Sequence, residues 1–176
     1  FPGGTPESMP FASPALDNAH QQSFGDATRI TDSSVQVGSL GWSPDGERIA
    51  FSSIIDDNHI YLMNADGSGV IQLTTGPAKD SDPVWSPNGT HIAFFREVQG
   101  VNGSYIFIMK VDGSNLFQLT NTGDDTNFLS WSPDSTQIVY SSGYDRGRKG
   151  AIYVVNADGS NLRKLIDGDY FAGHFY

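Results

Sequence analysis

The 176-residue chain contains no cysteine, which excludes disulfide bridges and thiolate metal sites. Basic residues are also few, since ten lysines and arginines stand against twenty acidic residues for a formal net charge of −10. Nucleic-acid binding depends on neutralising phosphates with positive charge, so this balance argues against a nucleic-acid partner. No apolar run approaches the roughly 18 residues of a membrane-spanning helix, and we expect no membrane insertion.

The common catalytic motifs are missing as well. The sequence has no G-x-S-x-G, no H-E-x-x-H and no G-x-x-x-x-G-K, which are the signatures of a nucleophile elbow, a zinc site and a phosphate loop. The four histidines are scattered, and no spacing pairs them as metal ligands. We therefore expect no catalytic residues, no confident metal site and no enzymatic activity of this chain alone.

The chain does contain a threefold repeat. In each copy a short first strand ends at a Trp-Ser-Pro turn, and two apolar strands follow. An Asp-Gly-Ser turn then reverses the chain into a fourth strand. The tryptophans are spaced 43 and 46 residues apart, at Trp42, Trp85 and Trp131. The aspartates of the second turn are spaced 46 and 46 residues apart, at Asp66, Asp112 and Asp158. This period predicts an all-β fold, a β-propeller of four-stranded blades.

The recurring tryptophans and turn aspartates have a structural interpretation. A residue that recurs at one blade position is ordinarily a packing residue, although a ring of sugar-stacking aromatics has the same pattern. Aspartate in a tight turn bonds its own backbone.

These motifs resemble the repeat of the TolB family. Trp-Ser-Pro-Asp-Gly, Ile-Ala-Phe, Ile-Tyr-x-Met-Asn-x-Asp-Gly-Ser and Gln-Leu-Thr recur over about residues 29–176. The resemblance implies a propeller that binds protein partners, which for periplasmic TolB belong to the Tol-Pal envelope system. It also implies a periplasmic or extracellular location. Similar repeats form the propeller of prolyl-oligopeptidase-type enzymes, where they gate access to a separate hydrolase domain.

The repeat boundaries divide the chain. Residues 1–28 form an N-terminal segment, interpreted as degenerate strands of a first blade. The blade repeats occupy residues 29–176, at about 29–74, 75–120 and 121–166 with a partial repeat at 167–176. The chain thus holds three full blades plus partial blade strands at both termini. Three arrangements remain open: a closed four-bladed ring, part of a larger propeller, or two chains that pool blades.

Aspartates concentrate in two sets of loops. In a four-stranded blade, the connections between blades and the loops between the second and third strands emerge on one face. An acidic face attracts basic partners, and aspartate oxygens suit calcium, the one cofactor that the sequence leaves open. Ordinary solvated loop residues remain the alternative. The candidates for partner or calcium binding are Asp56, Asp57, Asp80, Asp82, Asp124, Asp125, Asp145 and Asp169.

Two triplets, Asn88-Gly-Thr and Asn102-Gly-Ser, match the N-glycosylation sequon. Asn-Gly turns also produce such triplets by chance, so both interpretations stand.

The sequence favours a non-catalytic propeller that serves as a binding or scaffold module, contacting a protein through the acidic loop face or associating with itself. Three alternatives stay open. They are a structural subunit of an extracellular assembly or filament, a propeller fragment of a prolyl-oligopeptidase-type hydrolase, and a carbohydrate-binding propeller.

Overall fold

A computed structural model describes residues 29–31, 36–53, 58–98, 100, 103–121, 126–142 and 150–166. Within these residues the chain forms twelve β-strands. The strands are β1 Val37–Trp42, β2 Arg48–Ser53, β3 His59–Asn64, β4 Ile71–Gln72, β5 Lys79–Trp85, β6 His91–Glu97, β7 Ser104–Lys110, β8 Phe117–Gln118, β9 Thr126–Trp131, β10 Gln137–Ser142, β11 Ala151–Asn156 and β12 Arg163–Ile166. No helix that could cross a membrane occurs in this part of the chain.

The strands form three separate four-stranded sheets, each built from strands consecutive in the chain. Blade 1 comprises β1–β4, blade 2 comprises β5–β8 and blade 3 comprises β9–β12. Every neighbouring pair is antiparallel, because short turns can join only antiparallel neighbours. The predicted all-β fold with three full four-stranded blades is confirmed.

The first hairpin of each blade follows from its turn residues. In blade 1, the Gly46 amide donates to the Ser43 carbonyl at 2.9 Å, and Gly46 adopts a φ of +73° that suits glycine. The Asp45 carboxylate accepts from Ser43 Oγ at 2.5 Å and from the Glu47 amide at 3.0 Å. Blade 3 has Ser135 at the glycine position, and it takes the same left-handed conformation with a φ of +62°.

Each blade carries one stacked aromatic pair across its two central strands. Cross-strand pairs of this kind stabilise a sheet by about 0.2–1 kcal/mol. The ring centroids lie 5.3–6.1 Å apart, in the pairs Phe51–Tyr61, Phe94–Phe107 and Tyr140–Tyr153. In blades 2 and 3 one ring of this pair is buried against the preceding blade. We call the side of a blade that faces the preceding blade its front, and the aromatic pair lies on this side.

Two hydrophobic cores join the three blades. Between blades 1 and 2 the buried residues are Ala50, Ile60, Leu62, Trp85, Ile92, Phe94 and Met109. Between blades 2 and 3 they are Ala93, Ile106, Ile108, Leu119, Trp131, Ile138, Tyr140 and Val155. Blade 2 packs against a blade on each side, and its central strands are accordingly apolar on both faces.

The repeated tryptophans do not all pack alike. Trp85 and Trp131 are buried, with 7% and 8% of their surface exposed, whereas Trp42 is 55% exposed. Burial against the preceding blade is therefore observed for Trp85 and Trp131, and for Trp42 it stays a prediction. Within the described residues, no inner strand, meaning the first strand of a blade, packs in front of Trp42.

Candidate binding face

Hydrogen bonds between blades bring two kinds of loop to one side of the molecule. The Asp80 amide, in the inner strand β5 of blade 2, donates to the Asn58 carbonyl just before β3 of blade 1, at 2.6 Å. One junction further on, Ser104 Oγ at the start of β7 donates to the Thr126 carbonyl at the start of β9, at 3.2 Å. We call the side that carries Asn58, Asp80, Ser104 and Thr126 the loop face. The connections between blades thus meet the hairpins between second and third strands, as the strand order predicts.

Asp80 lies in the loop face, but it is not an exposed loop aspartate. Its side chain is completely buried, and its two carboxylate oxygens accept from Arg96 Nε at 2.6 Å and Arg96 Nη2 at 2.8 Å. The guanidinium also lies over the rings of Phe107 and Phe94, at 4.8 and 5.4 Å from their centroids. The expectation that Asp80 offers its carboxylate to a partner or to calcium is corrected, because Arg96 already occupies both oxygens.

Asp82 is the candidate aspartate that the structure places at the surface. Its backbone adopts a φ of +52° at a break in the register between β5 and β6. Its amide donates to Ser39 Oγ of blade 1 at 2.8 Å, which fixes the backbone while the side chain remains exposed. The bulge therefore presents this carboxylate next to the loop face.

Phe128 occupies the same position in blade 3, three residues before the tryptophan, and the sequence analysis missed it. Its side chain is 84% exposed, and its φ is +49°. A bulky residue in this region is an outlier, and such strain at a bulge often accompanies a binding role. The signal in the sequence was an aromatic residue at a repeat position where Ser39 and Asp82 are polar.

The remaining acidic candidates, and one of the two sequons, lie outside the described residues: Asp56, Asp57, Asp124, Asp125, Asp145, Asp169 and Asn102. Where the chain is described, no group of three or more histidine, aspartate or glutamate side chains could hold a metal ion.

The repeated turn aspartates lie at the other end of the strands from the loop face. Each Asp-Gly-Ser carboxylate accepts from its own serine Oγ at 2.6 Å, in the pairs Asp66–Ser68, Asp112–Ser114 and Asp158–Ser160. This serine hydrogen bond is the main cause that lowers the pKa of each carboxyl below its usual value. The pKa values of Asp45 and Asp134 are lowered chiefly by Ser43 and Ser132 in the same way. All five carboxylates therefore organise turns.

In blade 2 the position of Asp45 and Asp134 is occupied by Asn88. Its Oδ1 accepts from Ser86 Oγ at 2.8 Å and from Thr90 Oγ1 at 2.7 Å. Its backbone amide donates to Ser135 Oγ of the next blade at 3.0 Å. The residue is exposed. Its side chain accepts the same turn hydrogen bonds as the aspartates, but it does not titrate.

Comparison with known proteins agrees with this architecture. The model of the TolB beta propeller domain matches residues 20–124. A Tol-Pal system protein TolB from Anaeromyxobacter dehalogenans is 48% identical over 46 residues, which cover 25% of this chain and 10% of the relative. An uncharacterized peptidase, YuxL of Bacillus subtilis, is 40% identical over 53 residues, covering 29% of this chain and 8% of the relative.

Among solved structures, a putative TolB from Agrobacterium tumefaciens superposes with a TM-score of 0.63 at 28% identity. The superposition covers 76% of this chain and 49% of that protein. The matched regions thus span half or less of the relatives' length. Since the family model matches more than half of the 176 residues, the chain belongs to the TolB β-propeller domain family.

Proposed function

We propose that this chain is a non-catalytic propeller module that binds a protein partner through the loop face, in a periplasmic or extracellular compartment. The single observation that carries the proposal is Phe128, whose side chain is 84% exposed on a strained bulge. Asp82 stands on the equivalent bulge of the neighbouring blade and adds a negative charge. An exposed aromatic anchor beside a charged group is typical of a protein-binding surface.

The frame behind these residues supports the same role. The Arg96–Asp80 ion pair ties strands β5 and β6 together within blade 2, and the Asn58–Asp80 hydrogen bond joins blades 1 and 2 beneath the loop face. The Ser104–Thr126 hydrogen bond joins blades 2 and 3 there. A surface held by such cross-blade bonds loses little conformational entropy when a partner binds.

The name of the TolB relative includes a Tol-Pal system, which makes the soluble part of a Pal protein the first probe. Binding of this probe to the 176-residue chain is measured by calorimetry, with Phe128→Ser and Asp82→Asn as test variants. We expect at least a tenfold loss of affinity for Phe128→Ser, a hot-spot effect of about 1.4 kcal/mol or more. Asp82→Asn should mainly reduce the salt dependence of binding.

Leu116→Ser is the matched control, since Leu116 is 42% exposed at the outer edge of blade 2. Equal binding of all three variants would contradict the loop face as the binding surface. Failure of the unmodified chain to bind Pal would contradict the choice of partner.

The match to a peptidase supports a second candidate function. In this alternative the propeller belongs to a longer hydrolase and controls access to its catalytic domain. The test is the genomic sequence that flanks the coding region: an in-frame α/β-hydrolase domain with a G-x-S-x-G elbow would favour this candidate over the binding module.

A further inference from the structure

The inner strands of the three blades adjoin one another in a repeated register. Trp85 Nε1 donates to the Gly41 carbonyl at 3.1 Å, and Trp131 Nε1 donates to the Val84 carbonyl at 3.1 Å. In each case the acceptor belongs to the residue directly before the tryptophan of the preceding blade. The junction between blades 2 and 3 is therefore built like the junction between blades 1 and 2, and a neighbour at one junction identifies its counterpart at the other.

The bulges of these inner strands lie side by side in this register. The bulge position is three residues before the tryptophan, and it is occupied by Ser39, Asp82 and Phe128 in blades 1, 2 and 3. At the first junction the Asp82 amide donates to Ser39 Oγ at 2.8 Å. By the same register, the Phe128 backbone lies beside the side chain of Asp82. The exposed ring and the exposed carboxylate are therefore neighbours at the surface.

Both side chains have contacts to offer to a positive group. Among the described residues, no cation forms an ion pair with the Asp82 carboxylate, and no guanidinium lies over the Phe128 ring. Phe128 is 84% exposed, so one face of its ring is open to a ligand. The net charge of −10 attracts positive groups to the protein from solution. The chemistry of this pair therefore suits a cation with an apolar face.

The protein contains an internal example of such an arrangement. Two residues before Asp82, the Asp80 carboxylate accepts from the Arg96 guanidinium at 2.6 and 2.8 Å. The same guanidinium lies over the Phe107 ring, 4.8 Å from its centroid. Because a guanidinium is planar, its edge can pair with a carboxylate while its face stacks on an aromatic ring. Asp82 and Phe128 offer the same two kinds of contact at the surface.

We propose that Asp82 and Phe128 together bind an arginine side chain of the protein partner. The Asp82 carboxylate accepts hydrogen bonds from the guanidinium, and the Phe128 ring stacks on its plane. Arginine is preferred over lysine, because an ammonium group is compact, strongly hydrated and has no plane to stack. The inference rests on the proposed function, since it names the group by which a partner is recognised beside the loop face.

Nuclear magnetic resonance titration of the isotopically labelled chain tests this contact, since the method detects weak binding of a single side chain. The probes are the blocked tripeptide acetyl-Gly-Arg-Gly-amide and the same peptide with citrulline, a neutral analogue of arginine. We expect the arginine peptide to shift the amide signals of Phe128 and Asp82. It should bind at least fivefold more tightly than the citrulline peptide, because only a charged group gains both the ion pair and the cation–π contact.

Single substitutions separate the two contacts. Phe128→Leu keeps an apolar side chain but removes the ring, and Asp82→Asn removes the charge. Each should weaken binding of the arginine peptide about two- to fivefold, the effect of losing an exposed cation–π contact or ion pair. Phe128→Tyr, which keeps the ring, and Leu116→Ser, at the outer edge of blade 2, should bind the peptide like the unmodified chain. The amide spectra also show whether each variant folds.

Equal binding of the arginine and citrulline peptides, or binding of neither, would overturn the proposal. It is also wrong unless both Phe128→Leu and Asp82→Asn weaken the binding. These outcomes are separate from those of the Pal experiment. A chain that binds Pal through Phe128 without distinguishing arginine from citrulline refutes only the arginine contact. A chain that binds the arginine peptide but not Pal keeps the arginine contact and loses only the choice of partner.

Discussion

The indole of Trp85 donates to the carbonyl of Gly41 at 3.1 Å and joins the inner strands of two adjacent blades. The two residues are far apart in sequence, so the bond connects repeats and not neighbours within one sheet. Because the indole is buried, its hydrogen bond is shielded from water, and loss of the donor leaves a carbonyl without its partner.

Replacement of this tryptophan by phenylalanine should therefore destabilise the protein. We expect Trp85→Phe to lower the free energy of unfolding by about 1–2 kcal/mol, the sum of a lost hydrogen bond and a smaller ring. Trp42→Phe is the control, and because Trp42 is exposed it should change stability by less than about 0.5 kcal/mol. Urea unfolding followed by circular dichroism measures both. Equal losses would show that the inter-blade bond contributes nothing.

The buried Asp80–Arg96 pair should be sensitive to removal of one partner. Asp80→Asn leaves the guanidinium without a counter-charge, which costs about 3–5 kcal/mol in comparable buried pairs. The double variant Asp80→Asn/Arg96→Met should lose less than the two single variants together, because it removes both charges. Asp82→Asn, at an exposed aspartate, should stay within about 0.5 kcal/mol. Strict additivity in this cycle would argue against coupling between the two side chains.

Acid should weaken the five turns that contain aspartate. Serine hydrogen bonds lower the folded-state pKa of Asp45, Asp66, Asp112, Asp134 and Asp158 below the ordinary 3.8. The unfolded chain therefore binds protons more readily than the folded chain. The stabilisation is fully present above pH 3.8 and is lost as the pH falls through the lower folded-state values.

Asn88 suggests the matching substitution for this acid dependence, since its amide oxygen accepts equivalent hydrogen bonds without titrating. Asp134→Asn should reduce the loss of stability between pH 6 and pH 3, and Asn88→Asp should increase it. Urea midpoints at the two pH values measure the change. An unchanged acid dependence in both variants would mean that these turns do not contribute to it.

Glycines in the second turn should differ in how well they tolerate alanine. Gly113 and Gly159 share a left-handed backbone, with φ of +80° and +84°, but a Cβ at Gly159 meets open space. Gly159→Ala should cost about 1 kcal/mol from backbone strain alone. Gly113→Ala should cost more, because its Cβ would press on the Leu73 carbonyl at 3.2 Å. Thermal melts of the two variants provide the comparison, and equal melting temperatures would exclude the inter-blade contact as a cause.

The blade architecture could be predicted from local sequence. Turn residues such as Asp45 and Gly46, apolar strands of fixed length and a regular period specify an antiparallel meander through short-range geometry and alternation. For that reason the sequence alone was enough to predict the three sheets, the turn aspartates and the position of the tryptophans at the ends of the inner strands.

The candidate site was less predictable because burial depends on contacts between strands and between blades. Asp80 and Asp82 are separated by one residue, yet one is enclosed against Arg96 and the other is at the surface. Phe128 escaped notice because its exposure depends on a backbone bulge, and an aromatic residue at that repeat position does not by itself show whether the side chain is buried or exposed.

By itself the sequence determined that this protein is a series of four-stranded blades, since the repeat and its turns act over short distances. Only the tertiary structure decided which copies of each repeated residue are enclosed. Trp85 and Trp131 have a preceding blade to cover them and to accept their hydrogen bonds, and Trp42 has none within the part of the chain that the structure describes. Equivalent residues in a repeat therefore differ by what packs in front of them, because burial is a property of the neighbouring blade and not of the residue.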